Sequence, residues 1–360
     1  MRALLPLAIL TALVAPSVLL ASASGPAPAG HVFVIVLENK GYDRTFGPGG
    51  GSPYLAQTLT SEGTLLTNYY GTGHSSLDNY VAMVSGQPPV IEQQADCPIY
   101  HDFVGVVDPL DGVAIGQGCV YPASVLTIGD QLQRAGLTWR QYAEDMAASP
   151  ANAPTTCRHP QLNTQDPWES GRATDNYATK HVGPMYFHSV IDDVASCAAH
   201  NVDLSLLSRD LASEATTPDL ALISPNLCSD GHDSACANAS QPGGYAGIDA
   251  FLRTWIPRIQ ASPAYQHNGA IVINFDEGDD ATACCGETQS PDTLNNGGTT
   301  MGMGGGRVGA VLLTPCAIGG SVDARPLDHY GLLRSIEDNF GVARLANAAT
   351  GDLTVLSLGC

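Results

Sequence analysis

The chain has 360 residues, of which 44% are hydrophobic and 14% are charged. This length allows one large α/β domain or two smaller ones, and the apolar content is enough for a sizeable core. The composition therefore excludes a disordered protein. The formal net charge is −20, from 35 acidic and 15 basic residues. Such a surface repels nucleic acid, and the sequence contains no basic patch, so a nucleic-acid partner is excluded.

The first 23 residues predict a targeting segment. Arg2 supplies a positive charge, an apolar run extends to Leu20, and the small residues Ala21 to Ala23 form a cleavage signal. The alternative is a membrane anchor, which two prolines within the run disfavour. We therefore expect a secreted or periplasmic protein, cleaved near Ala23, with no integral membrane association.

Ten cysteines in an exported chain indicate disulfides rather than free thiols. No C-x-x-C pair is present, which argues against a structural zinc site. Short spacing predicts the pairs Cys97–Cys119 and Cys228–Cys236. The adjacent Cys284 and Cys285 are expected to bond to different partners rather than to each other.

Short apolar runs alternate with helical patterns along the chain. In chain order, the sequence predicts a strand at His31–Leu37, a short helix after Pro53, a loop leading into a helix over Gly71–Gly86, a helix from a Ser124 cap to Ala135, strands at Leu137–Tyr142 and Asp219–Ser224, a helix at Ile248–Gln260, strands at Ala270–Asn274 and Arg307–Leu313, and a helix from an Asp328 cap to Phe340. This alternation predicts an α/β fold with a mostly parallel central sheet and helices on both faces.

We expect residues 24–360 to form a single domain, because no internal repeat or clear linker divides them. Two insertions are expected, at about 91–122 and 281–306. The first is predicted to be tied by a disulfide. The second is rich in Gly, Thr and Asn and is long enough for a functional lid or rim.

Polar residues follow two of the predicted strands at the point where each strand ends. Glu38 and Asn39 come directly after the first strand, and Asp276 and Glu277 follow the strand at Ala270–Asn274 and Phe275. Ligands bind just beyond the carboxyl ends of strands in open α/β sheets. Oxygen ligands of this kind suit Ca²⁺, Mg²⁺ or Mn²⁺. We predict that the two strand ends meet and hold one divalent cation, whereas any one of these acids alone is more typical of a solvated loop charge.

Two serines, Ser75 and Ser76, lie where a helix is predicted to begin. Exposed N–H groups and the helix dipole favour a phosphate at that position. A hydroxyl in contact with a metal ion becomes a better nucleophile. A serine at this place can equally be a helix cap, and this is the expected role of Ser75.

Histidine is the natural acid or base near neutral pH, and four histidines lie in polar segments rich in glycine. They are His74, His181, His232 and His329. His232 lies between Asp230 and Asp233, whose charges would favour the protonated ring that donates a proton. Lys180 can hold a phosphate as a point charge, although a surface lysine is an equal alternative.

Six segments occur in a fixed order: Leu37–Asn39, Gly73–Tyr80, Tyr177–His181, Ser224–Asp233, Phe275–Asp280 and Asp328–Asp338. Together they resemble the secreted phosphoesterase family of acid phosphatases and phospholipases C. The resemblance covers about residues 31–341. It implies an alkaline-phosphatase-like three-layer sandwich.

The resemblance also implies roles for individual residues. The metal ligands would be Glu38, Asn39, Asp276 and Glu277. The catalytic residues would be Ser76, His74, His232 and His329. The substrate-binding residues would be Ser75, Lys180, His181 and Asn79. This chain has Ser75 where relatives of the acid phosphatase type usually have proline, so the choice between Ser75 and Ser76 as the nucleophile stays open.

The expected function is that of a secreted, metal-dependent phosphomonoesterase that forms a phosphoserine intermediate. One alternative is a phospholipase C, which needs a rim suited to lipid, and no exposed apolar stretch is obvious in the sequence. Another is a non-catalytic calcium-binding module. The expected partners are small phosphate esters or the head groups of phospholipids and phosphoinositides, and the expected state is a monomer.

Overall fold

A computed structural model of the chain describes residues 26–148, 154–285, 304–351 and 353–360. The predicted targeting segment and most of the loop predicted at 281–306 lie outside these ranges. No helix in the described ranges is both long enough and apolar enough to cross a membrane.

The described strands and helices follow the alternation that the sequence predicts. The strands are β1 His31–Leu37, β2 Thr64–Leu66, β3 Tyr69–Tyr70, β4 Ile99–Tyr100, β5 Val104–Val107, β6 Ala114–Gln117, β7 Trp139–Ala143, β8 Thr164–Gln165, β9 Asn201–Asp203, β10 Leu220–Ser224, β11 Gly269–Phe275, β12 Ala310–Leu313, β13 Ser321–Asp323 and β14 Leu327–Asp328. The α-helices are α1 Tyr42–Phe46, α2 Thr60–Glu62, α3 Ser76–Ser85, α4 Ile128–Arg134, α5 His188–Ile191, α6 Val194–His200, α7 Leu207–Asp210, α8 Gly244–Gln260, α9 Pro263–Asn268 and α10 His329–Phe340. A π-helical turn at Tyr54–Leu59 leads into α2, and a 3₁₀ turn covers Thr179–His181.

Eight of these strands form one central sheet in the order β13-β2-β12-β11-β1-β10-β7-β9. The sheet is mostly parallel, and β12 runs antiparallel to both of its neighbours. Every residue of β1 and β11 is buried. Strands buried along their whole length need cover on both faces of the sheet. The predicted α/β class is thus confirmed, with the site-bearing strands β1, β10 and β11 at the centre.

Local chemistry explains where the helices begin. Asp328 caps α10 as predicted, because its Oδ1 accepts a hydrogen bond of 2.7 Å from the Gly331 N–H. The Ser124 cap predicted for α4 is wrong. The cap is Thr127, whose hydroxyl accepts from the Asp130 N–H while the Asp130 carboxylate accepts from the Thr127 N–H at 2.7 Å. This reciprocal pair satisfies two free N–H groups at the start of α4. Such a pair needs an acidic or amide side chain three residues after the cap, which Ser124 lacks.

All ten cysteines are paired. The predicted pairs Cys97–Cys119 and Cys228–Cys236 are confirmed. The further pairs are Cys157–Cys197, Cys316–Cys360 and Cys284–Cys285. The prediction that Cys284 and Cys285 bond to different partners is therefore wrong. The other eight cysteines close loops among themselves, so the adjacent pair is left to each other.

The buried carboxyl group of Glu337 in α10 gives a prediction about stability. Burial raises its pKa to about 9, although the Leu345 N–H donates to its Oε1 at 2.9 Å. A folded pKa above the unfolded value means stability that is complete below about pH 4.5 and is lost as the pH rises through about 9. Where the folded protein holds one proton more than the unfolded chain, the free energy of unfolding falls by about 1.4 kcal/mol per pH unit.

We therefore expect Glu337→Gln to flatten the decline of unfolding free energy between pH 5 and 9, measured by urea denaturation at each pH. Glu62→Gln changes an exposed glutamate and is the matched control, with the wild-type slope expected. An unchanged slope in Glu337→Gln would show that Glu337 is ionised in the folded protein.

Candidate functional site

The ends of β1 and β11 lie side by side, as predicted from their sequences. The two strands are parallel with Leu37 opposite Phe275, so Glu38 and Asp276 follow at equal positions. The Asn39 N–H donates to Asp276 Oδ1 at 2.8 Å. Glu38 and Asp276 are both completely buried. The polar edge of the sheet therefore places two carboxyl groups together inside the protein.

Glu38 is the centre of this cluster. Its Oε1 accepts a hydrogen bond of 2.6 Å from the Tyr80 hydroxyl. Its Oε2 accepts from the Ser76 hydroxyl at 2.8 Å and from the Asn39 side-chain amide at 3.0 Å. The first residue of α3 thus presents its hydroxyl directly to a buried carboxylate of the strand end.

The two neighbouring serines differ in what their hydroxyls contact. Ser75 occupies the N-cap position of α3, but its side chain makes no capping hydrogen bond. Its hydroxyl donates instead to the Gln94 carbonyl at 3.2 Å. The prediction that Ser75 caps the helix is correct in position and wrong in the hydrogen bond. These contacts favour Ser76 over Ser75 as the reactive hydroxyl.

The third component of the cluster comes from outside the two strand ends. His181 Nδ1 lies 3.0 Å from Asp230 Oδ2, and its Nε2 lies 3.4 Å from Glu38 Oε1. Within the described residues that buried Nε2 has no hydrogen-bond partner. One ligand atom each of Glu38, His181 and Asp230 lie within 4.8 Å of one another. Asp230 was missed as a ligand from the sequence, although the acids flanking His232 were a signal.

This donor set fits a divalent cation. Two carboxylates and an imidazole nitrogen suit Mn²⁺, Fe²⁺ or Zn²⁺ as well as the harder ions expected from oxygen ligands alone. Burial raises the pKa of Glu38 well above its usual range, and the charges of Asp276 and Asp230 raise it further. Burial likewise raises the pKa of Asp230 and lowers that of His181. A bound cation offsets the cost of ionising such closely packed carboxyl groups.

Glu277 is not among the three residues whose ligand atoms lie together in this cluster. Its carboxylate forms an ion pair with His74 Nδ1, and His74 Nε2 lies 2.8 Å from the Asp280 carbonyl oxygen. Both residues remain close to the site through their neighbours Ser76 and Asp276. Their contacts favour a role in holding the two loops together, and the predicted metal role of Glu277 and catalytic role of His74 stay predictions.

His329 is engaged through both ring nitrogens. Nδ1 lies 2.9 Å from the Tyr69 hydroxyl, and Nε2 lies 2.6 Å from the Asp276 carbonyl oxygen. Burial lowers the pKa of His329 to about 4, so the ring is neutral at neutral pH. Its contacts favour holding the Asp276 backbone over donating a proton to substrate.

Asn79 orders the loop that precedes Ser76. Its Oδ1 accepts from the N–H groups of Thr72 and Gly73 at 2.8 and 3.1 Å, and its Nδ2 donates to the carbonyls of Gly73 and Ser75 at 3.0 Å each. These bonds occupy the amide fully. The structure therefore favours a positioning role over the predicted contact with substrate.

Lys180 is held beside the start of α3. Its ammonium donates to Asp96 Oδ2 at 2.8 Å, and Asp96 Oδ1 accepts from the Leu77 N–H at 3.1 Å. Burial lowers the pKa of Lys180, but the charge and hydrogen bond of Asp96, together with the charges of Glu38 and Glu169, offset this and raise its pKa. A buried, charged lysine at this place fits the predicted contact with phosphate.

The chain has only two lysines, and both lie at this edge of the sheet. The Lys40 ammonium donates to the carbonyls of Glu38 and Gly231 at 3.2 and 2.9 Å. It thereby connects the end of β1 to the loop that carries Asp230. The sequence analysis did not predict this role. The scarcity of lysine in the chain is the one feature that points to it, and only once the structure is known.

His232 lies beside the cluster, next to Asp230 and His181. Its N–H donates to Asp230 Oδ1 at 2.7 Å, and its Nδ1 lies 2.8 Å from Asp233 Oδ1. The ring is 5.6 Å from that of His181, and 29% of its side chain is exposed. Of the four predicted histidines, His232 has the most exposed side chain.

Comparison with known proteins identifies the family of the chain. The chain matches the phosphoesterase family over residues 52–343. It is 24% identical over 329 residues to a probable acid phosphatase of Kluyveromyces lactis, covering 91% of this chain and 61% of that protein. It is 24% identical over 264 residues to a phosphatidylinositol-3-phosphatase of Mycobacterium tuberculosis, covering 73% of this chain and 68% of that protein.

A protein in the alkaline phosphatase superfamily from Vibrio parahaemolyticus has a TM-score of 0.46 at 12% identity, covering 91% of this chain and 72% of that chain. The chain spans less than two thirds of the length of its Kluyveromyces relative.

Proposed function

Because the chain belongs to the phosphoesterase family, we propose that it is a secreted, metal-dependent phosphomonoesterase of the acid phosphatase type. The observation that carries this proposal is the Ser76 hydroxyl, placed at the start of α3 and 2.8 Å from the buried Glu38 carboxylate. Five disulfides are consistent with an oxidising compartment outside the cytosol.

In this proposal Ser76 is the nucleophile and Lys180 holds the phosphoryl oxygens. A divalent cation held by Glu38, Asp230 and His181, with Asp276 beside them, would lower the pKa of the serine hydroxyl and offset charge on phosphorus. The Ser76 hydroxyl gives its proton to the Glu38 carboxylate that accepts its hydrogen bond, and its oxygen forms a bond to phosphorus as the bond to the leaving oxygen breaks. His232 gives that oxygen a proton, and water then releases phosphate from the serine.

One observation favours phospholipid as a second candidate substrate. The hairpin β5–β6 exposes the side chains of Val104, Val106 and Leu110, at 76%, 66% and 93% of their areas. No exposed apolar stretch was predicted here from the sequence. The same disulfide-tied segment contains Asp96, which contacts Lys180 and the start of α3. The hairpin could therefore bring a membrane surface near the site.

The two candidates differ in the substrate that they hydrolyse. We expect the purified protein to hydrolyse p-nitrophenyl phosphate, with phosphate release faster at acidic than at alkaline pH, and to release little phosphocholine from phosphatidylcholine vesicles. Faster release of phosphocholine than of nitrophenol would favour the phospholipase. No hydrolysis of either substrate would favour a non-catalytic module.

The hairpin provides a control for the phospholipase hypothesis. Changing Val104 and Val106 to serine should lower any vesicle activity and leave nitrophenyl phosphate turnover alone. Val322→Ser, an exposed valine of β13, is the matched control for the loss of surface hydrophobicity.

A further inference from the structure

A third pair of polar residues follows a central strand at the same edge of the sheet. Glu144 and Asp145 come directly after β7 and have no role in the mechanism above. This strand runs parallel to β10, with Ala143 opposite Ser224. The Glu144 N–H donates to the Ser224 carbonyl at 2.9 Å, which extends the pairing by one residue. The two acids therefore lie where the chain leaves β10 and enters the loop that carries Asp230.

Both acids contact Asn226, the buried residue at the start of that loop. The Asn226 N–H donates to Glu144 Oε2 at 3.0 Å, and the side-chain amide of Asn226 donates to Asp145 Oδ2 at 2.8 Å. Consecutive side chains of a strand point to opposite faces. Asp145 has a φ of 65°, a left-handed conformation that aspartate adopts more readily than most residues. The turn at Asp145 breaks the alternation, and both carboxylates meet the same asparagine.

Asn226 in turn shapes the chain as far as Asp230. Its side-chain Oδ1 accepts from the N–H groups of Cys228 and Ser229 at 3.1 and 3.0 Å. Its carbonyl accepts from the Asp230 N–H at 2.9 Å. An asparagine that binds backbone groups two and three residues on forms a compact turn. The turn ends beside Glu38, whose N–H donates to the Asp230 carbonyl at 2.9 Å.

We propose that Asn226 is a positioning residue, which holds Asp230 in place for the divalent cation. Glu144 and Asp145 act through Asn226 by fixing its backbone and its side chain. This proposal rests on the metal-dependent function proposed above. Hydrogen-bonded partners of metal ligands set the position of the ligand atoms and thereby the affinity for the metal. His181 Nδ1 lies 3.0 Å from Asp230 Oδ2 but belongs to a different segment, so a loosened turn moves Asp230 relative to the other ligands.

The affinity of the metal-free protein for Mn²⁺ tests this proposal. Each variant is treated with EDTA, freed of the chelator and titrated with Mn²⁺ by calorimetry. We expect Asn226→Ala to raise the Kd by about tenfold or more, because the turn loses its side-chain acceptor. We expect Glu144→Ala to raise the Kd by about tenfold, although it leaves the loop sequence unchanged. Glu144→Gln keeps an oxygen that accepts from the Asn226 N–H, so it should keep the wild-type Kd.

Asn201→Ala is the matched control. Asn201 is a completely buried asparagine at the start of β9, and its side-chain amide donates to the Cys197 carbonyl of α6 at 3.1 Å. This variant should lower the melting temperature of the metal-free protein and leave the Kd for Mn²⁺ unchanged. A wild-type Kd in either Asn226→Ala or Glu144→Ala, or an equal rise in Asn201→Ala, would overturn the positioning role.

The wild type separates this proposal from the function on which it rests. If it binds Mn²⁺ but hydrolyses no p-nitrophenyl phosphate, the phosphomonoesterase function fails, and the Kd values of the variants still decide the positioning role. If it binds no Mn²⁺, the cation site is wrong and the positioning role of Asn226 is wrong with it.

Discussion

Ser76→Ala is expected to lower kcat for p-nitrophenyl phosphate by on the order of 10³-fold or more, because removal of a nucleophile leaves only binding and charge stabilisation. The hydroxyl lies 2.8 Å from Glu38 Oε2 and begins α3, where the helix dipole favours the incoming phosphate. The measurement is steady-state hydrolysis at saturating substrate, with the melting temperature recorded for each variant.

The neighbouring serine supplies the control. The Ser75 hydroxyl donates to the Gln94 carbonyl and not to the carboxylate cluster, so Ser75→Ala is expected to retain at least a tenth of the wild-type kcat. Full activity of Ser76→Ala would show that the nucleophile is a different group. Loss of activity in Ser75→Ala alone would move the assignment to the adjacent residue.

Removal of divalent metal is expected to have the second large effect. Dialysis against EDTA should abolish phosphatase activity and lower the melting temperature, because Glu38, Asp230 and Asp276 are buried together and burial raises the pKa of each. A metal present at 100 times its Kd stabilises the folded state by about 2.7 kcal/mol. Loss of that stabilisation lowers the melting temperature by several degrees.

Variants separate a site-specific loss from a general effect of the chelator. Glu38→Gln removes a charge from the cluster, and its melting temperature should respond little to EDTA. Glu62→Gln changes an exposed glutamate and should respond as the wild type does. Adding back Mg²⁺, Ca²⁺, Mn²⁺ and Zn²⁺ separately would identify the ion. Unchanged activity and melting temperature after EDTA would contradict the metal site.

The elements that the sequence predicted well depend on local pattern. The β-branched run of β1 fixed that strand to the residue, and the acids after it marked the carboxyl edge where ligands bind. The Asp328 cap and the disulfide Cys97–Cys119 also involve residues close in sequence. The sequence pattern that identifies each of these features is contained in a short segment.

The composition of the site depended on the tertiary structure. Hydroxyl direction separates Ser76 from Ser75, although the two are adjacent and chemically alike. Glu277 follows Asp276 by one residue, yet its carboxylate forms an ion pair with His74. Beyond a strand end, the direction of each side chain depends on packing against residues that are distant in sequence. No local sequence pattern predicts that direction.

By itself, therefore, the sequence determined the α/β class, the paired strand ends and the resemblance to phosphoesterases, because these follow from periodicity and short motifs. Only the tertiary structure brought His181 and Asp230 to Glu38, placed Lys40 between their loops and joined Glu144 to Asn226. His181 and Asp230 each lie more than a hundred residues from Glu38 in the sequence, and the sheet order that brings them together is decided by the packing of the whole core.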